Sequence, residues 1–430
     1  MNTIKKWTLG ACTFAMFGAL SATASAQSTF EYKQQTVDAD SRHLPTALNG
    51  NGWVGSVQNT HDGFYWNAVS QVTTSSFSGI TELVMEDLNS SGAYAGYDAH
   101  NYTGKVGSIA GGPSTTLQPC GSASPSLPTS ISETGLVGGI AFCSGQSVAF
   151  LYDDVTGTYP TISGLGGPHS AILDVSSSGQ YAAGWQGTSS NPNVGIATYY
   201  TSGAYAYGKY AYANTSATQA VRYDVANAQL DTLTHQITGV PAGYSVIAST
   251  ALGANDDGAV VGYATIQSGS TVNEVPVIWP NASAGWVVPM PTTSPSGCRA
   301  TAINASWQVV GTCFDRGTLY PTTDAFVWDI TEGTRVLEGV TQNASQAYRE
   351  ATDINDYGQI TVALDRGHPF YHDPGVALLT PTSMDYGACV VGSSCNMMYS
   401  NQCDGFANSS FNGNVHCIAK PPKHALFLTP

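Results

Sequence analysis

One short unit recurs along this chain and limits what the chain can fold into. It first reads Ala47-Leu48-Asn49-Gly50-Asn51-Gly52-Trp53-Val54-Gly55. It returns at 87–96, 130–138, 174–184, 253–262, 302–311 and 353–362. Each copy is an apolar run, a turn rich in Asn, Asp or Ser, and a second apolar run. Asx side chains bond the backbone just ahead of them, and Gly supplies positive φ, so the unit predicts a β-hairpin. The sixth copy carries Trp307 where the others carry the turn glycine. Small residues near the end of the second run allow a neighbouring backbone to approach closely.

A third run follows most copies. It reads Gly63-Phe64-Tyr65-Trp66, Ala149-Phe150-Leu151-Tyr152, Ala220-Val221-Arg222-Tyr223, Pro276-Val277-Ile278-Trp279, Ala325-Phe326-Val327-Trp328 and Pro369-Phe370-Tyr371. Its apolar and aromatic content predicts a strand buried on both faces, and the segment behind it predicts a fourth, outer strand. The last residues, His424-Ala425-Leu426-Phe427-Leu428, look like one more third strand. They are expected to complete an early repeat and so latch a ring with no open edge.

The turn positions 52, 92, 135, 179, 258, 307 and 358 are spaced 40, 43, 44, 79, 49 and 51 apart. A period of about 40 to 50 residues with four strands is that of a propeller blade. The long gap is assigned to an insertion near 186–217. It holds a hairpin in which Tyr207 faces Tyr210 and Tyr205 faces Tyr212, a candidate aromatic platform for a sugar. The fold expected is all-β, a seven-bladed β-propeller. Six or eight blades, or an open β-repeat array, are the alternatives.

These residues resemble the bacterial HAF-type extracellular repeat, in which a hairpin of the form A-x-x-I-N-x-x-G-x-V-V-G precedes a strand of the form H-A-F-x-W. Ala302-Ile303-Asn304 and Val309-Val310-Gly311 match the hairpin, and Ala325-Phe326-Val327-Trp328 and His424-Ala425-Leu426-Phe427 match the strand. The resemblance covers most of residues 40 to 375 and the final strand. It implies an exported, propeller-like repeat protein and no catalytic residues, because the motif is structural.

The N-terminus carries its own message. Lys5 and Lys6 precede an apolar run from Trp7 to Leu20, and Ala24-Ser25-Ala26 supplies an A-x-A site. This is a secretory signal peptide, residues 1–26, cleaved after Ala26. Residues 27–430 are then one repeat domain with insertions near 186–217 and 380–420, secreted or periplasmic. No membrane span is expected, because no apolar stretch reaches the roughly 20 residues that crossing needs. The formal charge of the 430 residues is −15; removing two lysines with the signal leaves −17. Such a surface disfavours nucleic acid and anionic membranes as partners. With 42% hydrophobic residues the chain is not disordered.

Of the nine cysteines, Cys12 leaves with the signal. Cys120 and Cys143 flank the third hairpin, and Cys298 and Cys313 flank the sixth. The repeated placement predicts that each pair staples its own hairpin. Cys389, Cys395, Cys403 and Cys417 lie in the Gly- and Asn-rich insertion, where three pairings are open. Their spacing lacks the C-x-x-C pairs of a zinc site, so no metal and no cofactor is expected.

No nucleophile elbow, phosphate loop or H-E-x-x-H is present. Asn255-Asp256-Asp257-Gly258 and Asn355-Asp356-Tyr357-Gly358 have the composition of calcium loops, but they fall at the hairpin turn, where Asx and Gly are needed anyway. If the strand entering each hairpin is innermost, its first residues converge on one end of a central channel. The residues there are Arg42, His43, His169, Arg299, Arg349 and Glu350. With only 14 Lys and Arg in the chain, three arginines at this position form a bias. They outline a candidate pocket for an acidic or polyhydroxyl ligand, with Arg as carboxylate clamp and His43, His169 or Glu350 as acid or base. The expected function is a binding or surface-interaction module, monomeric, for a polysaccharide or another extracellular ligand. The alternative is a glycan-active enzyme, a polysaccharide lyase or glycoside hydrolase, with its site at the channel mouth.

Overall fold

The computed structural model describes residues 32–38, 43–58, 63–67, 72–74, 83–121, 124–165, 169–187, 218–290, 297–314, 323–330, 332–337, 348–364, 375–381, 386–391, 394–399, 409–412, 416–418 and 426–428. Every regular element among them is a β-strand. The signal segment and the tyrosine-rich 204–212 lie outside the described residues, as does the triplet 369–371. No helix of the described residues is long and apolar enough to cross a membrane.

The chain opens with β1 (Tyr32–Asp38) and then builds antiparallel sheets in sequence. The first contains β2 (His43–Leu48), β3 (Val54–Gln58), β4 (Gly63–Asn67) and β5 (Val72–Thr74). The second contains β6 (Leu83–Leu88), β7 (Ala93–Asp98), β8 (Thr103–Ser108) and β9 (Thr115–Thr116). The third has β10 (Ser126–Ile131), β11 (Leu136–Cys143) and β12 (Gln146–Asp153). The fourth has β13 (Ser170–Val175), β14 (Tyr181–Gly187), β15 (Thr218–Asp224) and β16 (Gln229–Thr232).

After the short β17 (Ile237–Thr238) come β18 (Ser245–Ala254), β19 (Val260–Ser268), β20 (Thr271–Asn281) and β21 (Ala284–Val287). Next are β22 (Gly297–Ile303), β23 (Val309–Phe314), β24 (Thr323–Asp329) and β25 (Gly333–Val336). A single parallel bridge, Glu274 to Gly297, links these two groups. The last repeat is β26 (Tyr348–Ile354), β27 (Ile360–Leu364) and β28 (Gly375–Pro381).

The outer strand of that last repeat is β1, paired antiparallel to β28 from Tyr32–Pro381 to Asp38–Val376. This corrects the expected latch. The C-terminal β33 (Leu426–Leu428) pairs β32 (His416–Ile418) instead, apart from the repeats. The 380–420 insertion also forms β29 (Tyr386–Val391), β30 (Ser394–Tyr399) and β31 (Ser409–Asn412), ordered β30-β29-β31. Likewise the third strand of the last repeat is β28, behind the aromatic triplet at 369–371.

The strand entering each hairpin touches its counterpart in the next repeat, in the order β2, β6, β10, β13, β18, β22, β26 and back to β2. These strands are therefore innermost. The third strands lie outside the second ones in each sheet, and Trp66, Phe150, Tyr223, Trp279, Phe326 and Trp328 are all buried on them.

The hairpin turns explain themselves chemically. Asn49 accepts hydrogen bonds on Oδ1 from the Asn51 and Trp53 amides, while its Nδ2 donates to the carbonyl of Asn89. Asn89 does the same with Ser91, Ala93 and the Ser132 carbonyl. Asn255 reaches the Asn304 carbonyl, Asn304 reaches that of Asn355, and Asn355 reaches that of Asn49. Ser132 and Ser176 replace Asn in the third and fourth turns and cap their own turns through Oγ. There the link passes through Glu133 N–H to the Ser177 carbonyl and Ser178 N–H to Asp256.

Each innermost strand also carries a β-bulge, for example at Glu86 between Met85 and Asp87 and at Leu173 between Ile172 and Asp174. The bulge pushes a carbonyl towards the second strand. A Cβ at Gly96, Gly184, Gly262 or Gly311 would fall on the carbonyl oxygen of Val84, Ala171, Thr250 or Arg299. Only glycine fits there, which is why the second run carries one.

Three outcomes test this account. Asn355→Ala removes a turn cap and an inter-repeat bond together and should cost about 3 kcal/mol in urea unfolding. Asn51→Ala, at an exposed site, should cost about 0.5 kcal/mol or less. Gly184→Ala should destabilise by about 3 kcal/mol, since backbone rather than a side chain must yield.

Candidate functional site

The two ends of the axis differ in chemistry. At the turn end, all the hairpins line one cavity of ≈ 130 Å³. Its acidic residues are Asp87, Glu133, Asp174, Asp256, Asp353 and Asp356. These carboxylates are engaged by backbone. Asp87 accepts from Ile131 N–H, Asp174 from Ala254 N–H and Asp353 from Leu48 N–H. Glu133 takes Ser90 N–H and Asp356 takes Ala305 N–H. Asp257 accepts from the Trp307 indole. The two Asn-Asp loops are thus turn chemistry, and the acids are struts between repeats.

At the opposite end the first strands begin, and here the polar side chains interact with one another. The backbone bridge at Glu274 and Gly297 brings β20 against the start of β22. Arg299 lies two residues on, and its guanidinium meets the Glu274 carboxylate twice: Nε to Oε2 at 2.5 Å and Nη2 to Oε1 at 3.0 Å. Its Cζ also lies 4.5 Å from the centroid of the Tyr263 ring and 5.4 Å from that of Phe314. Burial works against this charge, but Tyr263, Glu274 and Glu350 outweigh it and hold the guanidinium above the usual arginine range.

Glu350 occupies the matching position on β26. Strand register makes the equivalence explicit: Val84 pairs Tyr97, Leu127 pairs Ile140, Ala171 pairs Trp185, Thr250 pairs Tyr263, Arg299 pairs Thr312, and Glu350 pairs Ala363. One level of the ring is therefore apolar or aromatic on one side and charged on the other. On the apolar side Val84, Tyr97, Leu127, Ile140, Ala171, Trp185 and Tyr263 belong to a single buried cluster. β26 has a second bulge at Arg349, which re-aims its start. Burial pushes the Glu350 carboxyl up to about 7, with Arg299 opposing the shift. Two polar atoms at this level have no hydrogen-bond partner among the described residues: Thr312 Oγ1 and Trp185 Nε1, both buried.

Of the residues predicted from sequence, Arg299 and Glu350 stand on adjacent first strands, near enough for the charge of one to act on the other. Arg299 is itself clamped by Glu274, in place of the free carboxylate clamp expected. Arg349 is half-buried beside Glu350. His169 is a strut: its Nδ1 receives Ser147 N–H at 3.1 Å, with the Ser147 hydroxyl also at 3.1 Å. His43 begins β2, and its side chain lies outside the described residues, as do Arg42 and Tyr205, Tyr207, Tyr210 and Tyr212.

Both predicted disulfides form, Cys120–Cys143 and Cys298–Cys313, with Cα separations of 5.7 and 4.0 Å. Cys298 and Cys313 are directly paired on β22 and β23, next to Arg299 and Thr312. Cys389 lies on β29, Cys395 on the neighbouring β30 and Cys417 on β32; Cys403 and the pairing of these four fall outside the described residues. Sequence reasoning missed Glu274, Tyr263, Thr312 and Trp185. The signal for the last three was the position following the second-strand glycine.

No family model matches this chain, and no curated protein matches it in sequence. Among solved structures, it is similar to a streptogramin B lyase at 11% identity, over 81% of this chain and 97% of that one, with a TM-score of 0.41. A putative TolB from Agrobacterium tumefaciens aligns at 11% identity over 68% of this chain and 79% of its own, TM-score 0.36. TolB from Acinetobacter baumannii aligns at 13% identity over 79% of each chain, TM-score 0.36. Likenesses this distant assign no residue a role here.

Glu274→Gln removes the buried carboxylate that pairs the half-buried Arg299 and should destabilise by about 3 kcal/mol in denaturant unfolding. Replacing Cys298 and Cys313 by Ser opens a 15-residue link and should cost about 3 kcal/mol. For Glu350 the sign is fixed by its upward shift. The folded state holds the proton more tightly than the unfolded state, so the stabilisation is full below the ordinary glutamate range and is lost as pH rises through about 7. The unfolding midpoint should fall between about pH 5 and 8 in the native chain, and Glu350→Gln should remove that part of the fall.

Proposed function

We propose that this chain is an exported, seven-bladed β-propeller of HAF-type repeats that binds an extracellular ligand at the mouth where its innermost strands begin. One observation carries the reading: Arg299 and Glu350 stand at a ring position that Val84, Leu127 and Ala171 fill elsewhere. A level that packs apolar side chains in most repeats has charge in two adjacent ones, so structure alone does not account for them. The blade count is supported by the closed order in which the first strands touch. Export is supported by the Lys-led apolar segment ending in Ala24-Ser25-Ala26 and by two disulfides.

The ligand is a polysaccharide or another extracellular molecule. A chain lacking residues 1–26, oxidised and folded, should elute as a monomer and retain a ligand from a panel of extracellular polysaccharides and secreted proteins. Binding that survives both Glu350→Gln and Thr312→Val unchanged would place the ligand elsewhere and sink the reading. The raised Glu350 carboxyl favours one second reading, a glycan-active enzyme using Glu350 as its acid. New reducing ends or unsaturated products, abolished by Glu350→Gln, would select it.

A further inference from the structure

The charged side of the mouth has a particular balance. Glu274 neutralises Arg299 through two hydrogen bonds, so the guanidinium has no spare charge to offer an anion. It does keep N–H donors beyond the two that Glu274 uses. Thr312 is 8% exposed and cross-strand to Arg299, and its buried Oγ1 has no hydrogen-bond partner among the described residues. A hydroxyl left unbonded in such a place is an unmet donor and acceptor. Glu350 adds a carboxyl from the next strand. Neutral, it both donates and accepts; ionised, it only accepts. The set is one of mixed donors and acceptors with no net charge, beside the apolar and aromatic side of the same level. An alcohol hydroxyl, itself donor and acceptor, fits this set better than a carboxylate does.

We propose that Glu350, Arg299 and Thr312 form a subsite for the hydroxyls of an uncharged sugar ring, with the Glu350 carboxyl, the Arg299 N–H groups and the Thr312 hydroxyl as its polar contacts. This rests on the mouth being the binding site. Charged or titratable groups on the elements packed against β26 are few among the described residues. Arg299 stands on β22, Asp324 and Asp329 stand on β24, and His43 begins β2. Arg349 and Asp353 share β26 itself. Of these, Arg299 is the one whose charge acts on Glu350, and it favours ionisation. Burial opposes it and wins, which places the change of state near neutral pH.

Calorimetry from about pH 6 to 8.5 would test this, with cellohexaose, maltohexaose and N-acetylchitohexaose as neutral probes and hexagalacturonate as the anionic one. A neutral probe should bind about tenfold or more weaker at pH 8.5 than at pH 6. Glu350→Gln, which keeps a donor at every pH, should bind it with flat affinity. Thr312→Val should weaken it about fivefold at each pH. Infrared difference spectra should show a carboxyl protonating near pH 7 that Glu350→Gln lacks. Three results would overturn the proposal: equal affinity across pH in the native chain, an equal fall in Glu350→Gln, or tighter binding of hexagalacturonate. A carboxyl that ionises in the ordinary glutamate range would overturn it without any ligand. If no saccharide binds but a secreted protein does, and Glu350→Gln disturbs that binding, the sugar subsite fails while the mouth stands. If nothing binds, both fail.

Discussion

The side chain of one asparagine per turn connects most of this molecule. Its oxygen caps the turn that it belongs to, and its amide nitrogen reaches the carbonyl of the turn in the next repeat. One residue therefore fixes the local hairpin and the spacing between hairpins. Five repeats use it, and the last reaches back to the first through Asn355 and Asn49. A serine could do only half of this work, since its hydroxyl can cap but is too short to bridge. In the third and fourth repeats, where Ser132 and Ser176 stand, backbone amides and the Asp256 carboxylate complete the circuit. Each bond is worth only about 1 kcal/mol net, but leaving its buried partner unpaired costs more. The ring is therefore stable mainly against partial loss.

The bulge in each innermost strand follows from the same geometry. It lets the strand deliver a side chain to the next repeat's backbone: Asp87 to Ile131, Asp174 to Ala254, Asp353 to Leu48. In five repeats the residue across the strand pair is glycine, set against a first-strand carbonyl, at Gly96, Gly139, Gly184, Gly262 and Gly311; Ser56 and Val362 hold that place in the first and last repeats. Most of the acid in the centre of the molecule is committed this way. An acidic ring mouth that looks like a cation trap is thus a set of inter-repeat hydrogen bonds.

How much of this was legible in the sequence depends on the range of the interaction. The hairpins and their capping residues are local patterns and are present where the spacing placed them, as are the third strands of the earlier repeats; in the last repeat β28 follows the expected triplet. The disulfides were legible because each pair brackets one hairpin. The closing strand was not. Tyr32–Asp38 is largely polar and adds at an outer edge, where few side chains are buried, so it carries no strong apolar pattern. Leu426–Leu428 does carry one and pairs elsewhere. The site was half legible. Arg299 and Glu350 were found because the start of the first strand is a repeat position. Glu274 was not, because its place follows from a bridge between sheets, which no window of sequence contains.

A repeat protein has an advantage for assigning function, since each position has internal controls. At one level of the ring, Val84, Leu127 and Ala171 show what packing alone requires there. Arg299 and Glu350 depart from it in neighbouring repeats, and they depart together. The Arg299–Glu274 ion pair that this position needs contributes little stability compared with apolar side chains of the same volume. Glu350 adds to that cost by keeping its proton near neutral pH instead of ionising beside Arg299. A fold that could have placed aliphatic residues at both positions carries a pair that lowers its stability as pH rises. The departures from repetition, more than the repeats themselves, are where packing does not account for the residue present.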